Sequence, residues 1–192
     1  MIEEYQSIIN NDVWDLVPRP KDTSVVTSKW NFKTKHLGDG SIEKFKEIFV
    51  ARGFSQKEGI DYEETFSPVA EYTSIRIIIA LASKMKWKLH QMDVKITFLN
   101  GVIEEEVYIK QPLGFETHNK ETHVCILKKT LYGLEQEPRA WYGRIDGFIM
   151  SLGFTKSKYD SKLYYKVENN DIITIVCRWT IFDRKGEAHK RM

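Results

Sequence analysis

Asp93 interrupts the run Gln91-Met92-Asp93-Val94 inside a mostly apolar, strand-like stretch from Leu89 to Leu99. A carboxylate buried there without a partner is costly, so it must be paired, protonated, metal-bound or turned into a cleft. Taken alone, a single aspartate is more often structural than catalytic. His118, His123 and Cys125 offer three zinc-type donors, but no paired spacing supplies a fourth, which argues against a zinc site. Lys84, Lys86, Lys88, Lys128 and Lys129 could attract a nucleic-acid backbone weakly, but a solvated surface is the simpler account of them.

The elements that must position these groups are visible in the pattern. Ser24 to Lys35 and Ile42 to Phe54 are rich in Val, Phe and Trp around Leu37-Gly38-Asp39-Gly40, which predicts a long β-hairpin anchored by Trp14, Trp30 and Phe32. Between Thr73 and Trp87, Ile75, Ile78, Ile79, Ala82 and Met85 recur at helical steps, with Thr73 or Ser74 as the cap. A second helical stripe, Trp141, Ile145, Phe148, Ile149 and Leu152, has Pro138 in its first turn and Gly153 at its end. Leu89 to Leu99 reads as a strand that turns at Asn100-Gly101 and returns at Val107-Tyr108-Ile109. Val124 to Leu127, Leu163 to Val167 and Ile172 to Cys177 read as further strands, the last two joined by a turn at Glu168-Asn169-Asn170-Asp171. Strands and helices interleave with hairpins, so the expected class is α+β.

The chain has 192 residues and is 42% hydrophobic, enough for one domain with a buried core. Lys plus Arg outnumber Asp plus Glu by only 29 to 27, so the net charge does not announce a nucleic-acid binder, and any basic groove must come from local clustering. Two cysteines without Cys-x-x-Cys spacing suit a reducing compartment. No basic leader and no apolar run of membrane-spanning length is present, so the expectation is an intracellular protein without a membrane partner. Arg178 to Met192 changes to a polar, basic tail that looks unrelated to what precedes it.

Several motifs in fixed order carry a family resemblance. Gln91-Met92-Asp93-Val94-Lys95 with Phe98-Leu99-Asn100-Gly101, then Glu105-Glu106-Val107-Tyr108, Gln111-Pro112 and Gly114-Phe115, is similar to the first catalytic block of copia-type retrotransposon reverse transcriptases. Upstream, Ala51-Arg52-Gly53-Phe54-Ser55-Gln56, Gly59-Ile60-Asp61-Tyr62 and Glu64-Thr65-Phe66-Ser67-Pro68-Val69 resemble that family's fingers segment. Downstream, Leu131-Tyr132-Gly133-Leu134 and Pro138-Arg139-Ala140-Trp141-Tyr142 resemble its second block. The resemblance runs from about Glu3 to Cys177.

The resemblance implies a right-hand polymerase: fingers and part of a palm, an antiparallel sheet flanked by helices, and no thumb within this chain. The implied reaction is RNA-directed DNA polymerisation, with a primer-template and a deoxynucleoside triphosphate as partners and two Mg²⁺ ions as cofactor. Asp93 would be the first metal ligand, joined by the backbone carbonyl of Val94. Phe98 stands where the family places an aromatic beside the sugar, Lys46 could touch the triphosphate, and Gln136 and Arg139 lie in the block that borders the nucleotide. The family works in the cytoplasm, in virus-like particles. Oligomeric state is not implied.

The departures bear on activity. A Tyr-Val-Asp-Asp turn should follow the strand Ile172 to Cys177, and the sequence instead reads Val176-Cys177-Arg178-Trp179-Thr180-Ile181-Phe182. Asp183 is single and several residues late. Ile48 replaces a phosphate-facing arginine, Glu71 replaces another arginine, and Glu135-Gln136-Glu137-Pro138-Arg139 replaces Lys-Gln-Ala-Pro-Arg. The expectation is a catalytically inactive remnant. Two alternatives stand beside it: an active polymerase whose Asp-Asp segment was lost only from the coding sequence, and a repurposed nucleic-acid-binding or interaction protein.

Overall fold

The computed structural model describes residues 1–21, 23–68, 71–92, 94, 97–117, 119, 121–168 and 171–177, with the backbone alone for Phe98. Asp93, His118, Asn169, Asn170 and the basic tail from Arg178 lie outside the described residues. In chain order the elements are α1 (Ile2–Asn10), β1 (Trp14–Pro18), β2 (Ser28–His36), β3 (Ile42–Ala51), α2 (Tyr72–Met85), β4 (Tyr108–Ile109), β5 (His123–Leu127), α3 (Glu137–Ser151), β6 (Thr155–Lys156), β7 (Leu163–Glu168) and β8 (Asp171–Val176). Short 3-10 turns occupy Gly53–Ser55 and Phe98–Asn100. The result is a mixed α and β chain with antiparallel sheets, divided into two compact units: Met1–Ser67 with Val94–Ile145, and Pro68–Asp93 with Asp146–Met192.

In the first unit, β2 and β3 form the expected hairpin, in register from Ser28↔Ala51 to Lys35↔Lys44, with a bulge at Lys35/His36. Its turn closes because Gly40 takes φ +87, a left-handed conformation that suits glycine, and Asp39 accepts hydrogen bonds from the Ser41 amide at 2.9 Å and hydroxyl at 2.6 Å. Those bonds hold the Asp39 carboxyl below its ordinary range. Aromatic packing fixes the base of the ribbon: the Trp30 and Phe49 rings lie 5.0 Å apart and Trp14 meets Phe49 at 5.9 Å. Phe32, expected as a third anchor, is instead 68% exposed, because it sits beyond the last aromatic pair on the open part of the ribbon.

A second antiparallel sheet, ordered β1-β5-β4, shares the core of this unit. Ile8 from α1 joins Val13, Phe49, Leu99, Val107, Ile109, Leu127 and Leu131 in one buried cluster, with Trp14 and Trp30 against it. Lys128 bridges Asp12 at 2.8 Å and Asp15 at 2.7 Å, and Lys129 donates to the Asn11 carbonyl at 2.6 Å. Two of the lysines considered for nucleic-acid contact thus tie the end of α1 to β1 and β5.

The strand expected over Leu89 to Leu99 does not form in its described residues. Leu89 to Met92, Val94 and Thr97 lie outside any strand, Phe98–Asn100 is a 3-10 turn, and Tyr108–Ile109 pairs with β5 rather than returning along this run. Strand backbone needs a ladder for its N–H and C=O groups, and no ladder among the described residues includes this segment. Leu89, Met92 and Val94 are exposed accordingly, whereas Leu99 reaches the core from the 3-10 turn.

The second unit contains α2, the later turns of α3 and the sheet β6-β7-β8. α2 starts one residue earlier than expected, with Glu71 as its N-cap, and no side chain makes a capping bond; Thr73 and Ser74 are already inside the first turn. α3 opens as expected, with Pro138 in its first turn, where a missing N–H costs nothing. β7 and β8 pair from Leu163↔Val176 to Glu168↔Asp171. Tyr164 donates to Asp146 Oδ1 at 2.7 Å, and the buried Lys162 has its ammonium pushed down to about 8, chiefly by burial.

Candidate functional site

Two sequence motifs far apart in the chain are locked together by backbone. The Ala51 amide donates to the Tyr132 carbonyl at 2.8 Å and the Gly53 amide to the Gly133 carbonyl at 3.0 Å. The approach is so close that a Cβ on Gly53 would stand 2.1 Å from the Gly133 oxygen, and one on Gly133 would stand 2.4 Å from the Ala51 oxygen. Gly133 also takes φ +88. The two glycines explain why Ala51-Arg52-Gly53 and Leu131-Tyr132-Gly133 read as they do.

Gln136 completes the joint. Only 2% exposed, its amide Nε2 donates to the Asp61 carbonyl at 3.1 Å and its Oε1 accepts from Gln56 Nε2 at 3.1 Å. Gln56 Oε1 in turn accepts from the Glu135 amide at 3.0 Å, and Asp61 Oδ2 accepts from the Lys57 amide at 2.7 Å. Both ends of the Gln136 amide are therefore engaged inside the protein. Gln56 and Asp61 were not singled out from the sequence, although both lie within quoted motifs; a buried amide network has no periodicity to betray it.

Lys46 projects from β3 beside Ile48 into a small cavity of about 150 Å³ completed by Glu4, Ser7, Leu99 and Tyr132. Burial raises the Glu4 carboxyl above its ordinary range, despite a hydrogen bond from the Phe49 amide and the field of Lys46. Leu99 belongs to the 3-10 turn opened by Phe98. A second cavity, of about 320 Å³, is lined by Gly59, Ile60, Tyr62, Glu63, Glu104, Glu105, Glu106 and Arg139. Arg139 Nε lies 3.6 Å from Glu64 and its Nη1 lies 3.9 Å from Glu105. Lys46 and Arg139 thus line different cavities.

Glu137 is buried at the first turn of α3, where its Oε2 accepts from the Gly133 amide at 2.6 Å. Burial outweighs that bond and pushes its carboxyl up to about 8. The Val94 carbonyl accepts a hydrogen bond from the Thr97 hydroxyl at 2.6 Å, and Asp93 beside it lies outside the described residues. Among the described residues no group of three or more His, Cys, Asp or Glu side chains is placed to hold a metal ion, and no helix is long and apolar enough to cross a membrane.

Residues 11–181 match the family described as reverse transcriptase (RNA-dependent DNA polymerase), and the chain belongs to that family. Over 178 residues it is 44% identical to the retrovirus-related Pol polyprotein from transposon TNT 1-94 of Nicotiana tabacum, an alignment covering 92% of this chain and 13% of that protein. It is 40% identical over 174 residues to the corresponding polyprotein from transposon RE1 of Arabidopsis thaliana, with 90% and 12% covered. The Gag-Pol polyprotein of transposon Ty1-ER2 from Saccharomyces cerevisiae is 29% identical over 173 residues, covering 88% of this chain and 9% of its own length. The plant relatives are Pol polyproteins of copia-type transposons, and this chain spans only 13% and 12% of them. No solved structure matches the chain. Reverse transcriptases generally depend on divalent metal and bind nucleic-acid templates and nucleotides.

Proposed function

We propose that this chain is a copia-type reverse transcriptase domain that keeps its fingers and part of its palm but cannot polymerise. In this reading the β2–β3 ribbon is the fingers hairpin, and α2, α3 and β6-β7-β8 are palm elements. Lys46 is the triphosphate contact, Phe98 the side chain beside the sugar, and Arg139 a border of the nucleotide. Gln136 acts through position, by holding the loop from Gln56 to Asp61 against the start of α3.

The observation that carries the inactive reading is the sequence after β8, Val176-Cys177-Arg178-Trp179-Thr180-Ile181, which supplies no carboxylate where the family has an adjacent pair. Two divalent ions need several hard oxygen ligands fixed together. Asp93 offers one carboxylate, and Val94 adds one uncharged carbonyl that is shared with the Thr97 hydroxyl. This donor set does not fit a two-ion centre, so no catalytic step is assigned to it. Nucleotide contacts are weakened as well: Ile48 brings no charge beside Lys46, Glu4 lines the same cavity as that lysine, and Arg139 is shared between Glu64 and Glu105.

Manganese titrated into the protein with a deoxynucleoside triphosphate, followed by electron paramagnetic resonance, tests the ligand argument. The expected spectrum is that of manganese bound to free nucleotide. Two protein-bound ions, both lost in Asp93→Asn, would overturn it.

A further inference from the structure

The register of the β2–β3 ribbon sorts its side chains by chemistry. Residues directly opposite one another share a face, and successive residues alternate. One face starts at the root with Trp30 opposite Phe49, against the core, and continues outward through three rows: Phe32 with Glu47, Thr34 with Phe45, and His36 with Ile42. The bulge at Lys35/His36 is what sets Ile42 opposite His36. Phe32 and Phe45 are each 68% exposed and Ile42 is 55% exposed, so the apolar strip runs past the core into solvent. Lys29, Lys35, Lys44 and Lys46 lie on the reverse face.

We propose that this strip is a dimerisation surface, packing face to face on the same strip of a second copy of this chain. A two-fold axis that crosses the strands at the row of Thr34 and Phe45 reverses the order of the rows in the second copy. Phe45 then meets its own counterpart at the axis, and the row of Phe32 and Glu47 meets the row of His36 and Ile42. Each carboxylate row faces an imidazole row and not a second carboxylate, while every row carries an apolar side chain. His36 Nδ1 donates to the Gly40 carbonyl at 3.1 Å, which leaves Nε2 for the other copy. Glu47, beside the Met1 ammonium at 3.4 Å, keeps 34% of its side chain exposed. A carboxylate within the strip disfavours a nucleic acid or an anionic bilayer as the occupant, and the lysines on the reverse face keep like charges out of the contact. The strip offers roughly 450 Å² per copy, so the pair removes roughly 900 Å² from water. That is below the ~1,200 Å² of a standard specific interface, so the dimer is weak and concentration-dependent. The inference does not depend on whether the domain polymerises.

The test is sedimentation velocity of the full chain from about 5 to about 300 µM, where a weak interface of this size becomes populated. The weight-average mass should rise from that of a monomer towards that of a dimer. Phe45→Ser and Phe32→Ser should each hold the chain monomeric throughout, and neither should lower the urea midpoint, because both side chains already lie largely in water. Ile77→Ser, at an exposed apolar side chain of α2, should leave the association unchanged. Glu47→Lys should weaken it about tenfold, and adding His36→Glu should recover it by restoring opposite charge between the facing rows. Urea midpoints show whether any variant has lost its fold, and the charge exchange then supplies the second reading. A chain that stays monomeric at the highest concentration overturns the proposal. So does a dimer that persists in both Phe45→Ser and Phe32→Ser, which would lie on another surface.

Discussion

The amide of Gly53 donates to the carbonyl of Gly133 at 3.0 Å, across a gap in which neither residue has room for a Cβ. This contact joins the segment after β3 to the loop before α3. It makes the position of Gln136, Glu137 and Arg139 depend on the ribbon's root.

Gly133→Ala should therefore damage the fold more than an ordinary surface change. The new methyl would meet the Ala51 oxygen at 2.4 Å, and φ +88 is strained for any side chain. The expected loss is about 3 kcal/mol or more, read as a lower urea midpoint. Gly143→Ala is the control: nothing lies within 4 Å of its added Cβ, and it should be neutral or mildly stabilising.

Gln136→Ala should destabilise the first unit by about 2 kcal/mol, because it strands the buried Gln56 amide and the Asp61 carbonyl. Gln56→Ala should cost a similar amount, and the double variant should cost less than the sum, since both remove the same bond. Chemical denaturation of the four proteins measures the coupling. Additive losses would separate the two residues.

Glu137 predicts a stability that declines with pH. Its folded carboxyl sits at about 8 against an ordinary 4.5, so the folded state holds the proton more tightly. Its contribution is complete below pH 4.5 and is lost as pH rises through about 8, at up to roughly 1.4 kcal/mol per unit. Denaturation curves between those limits should show the decline, and Glu137→Gln should flatten it. A variant as pH-dependent as the parent would remove Glu137 as the cause.

Much of the architecture was legible because it follows from local chemistry. Gly38-Asp39-Gly40 declared the hairpin, Pro138 the start of α3, and short runs of β-branched, aromatic and other apolar residues β5, β7 and β8. Leu89 to Leu99 misled because a strand is completed by its neighbours, and apolar composition cannot say whether a ladder partner exists. Phe32 misled for a similar reason: an aromatic on a ribbon is buried only as far as the core reaches. Of the candidate site, Lys46, Gln136 and Arg139 were named from resemblance, but their surroundings are tertiary facts. Nothing in sequence spacing pairs Gln136 with Gln56 and Asp61, or Arg139 with Glu64 and Glu105. The alternation of Lys33 with Lys35 and Lys44 with Lys46 was a readable period-two signal for the basic face of the ribbon.

Primer extension bears most directly on the central claim that this domain lacks polymerase chemistry. Purified protein would be incubated with an RNA template, a labelled DNA primer, deoxynucleoside triphosphates and Mg²⁺, beside an Asp93→Asn preparation. Unextended primer is expected in both. Elongation by the parent protein that disappears in Asp93→Asn would contradict it.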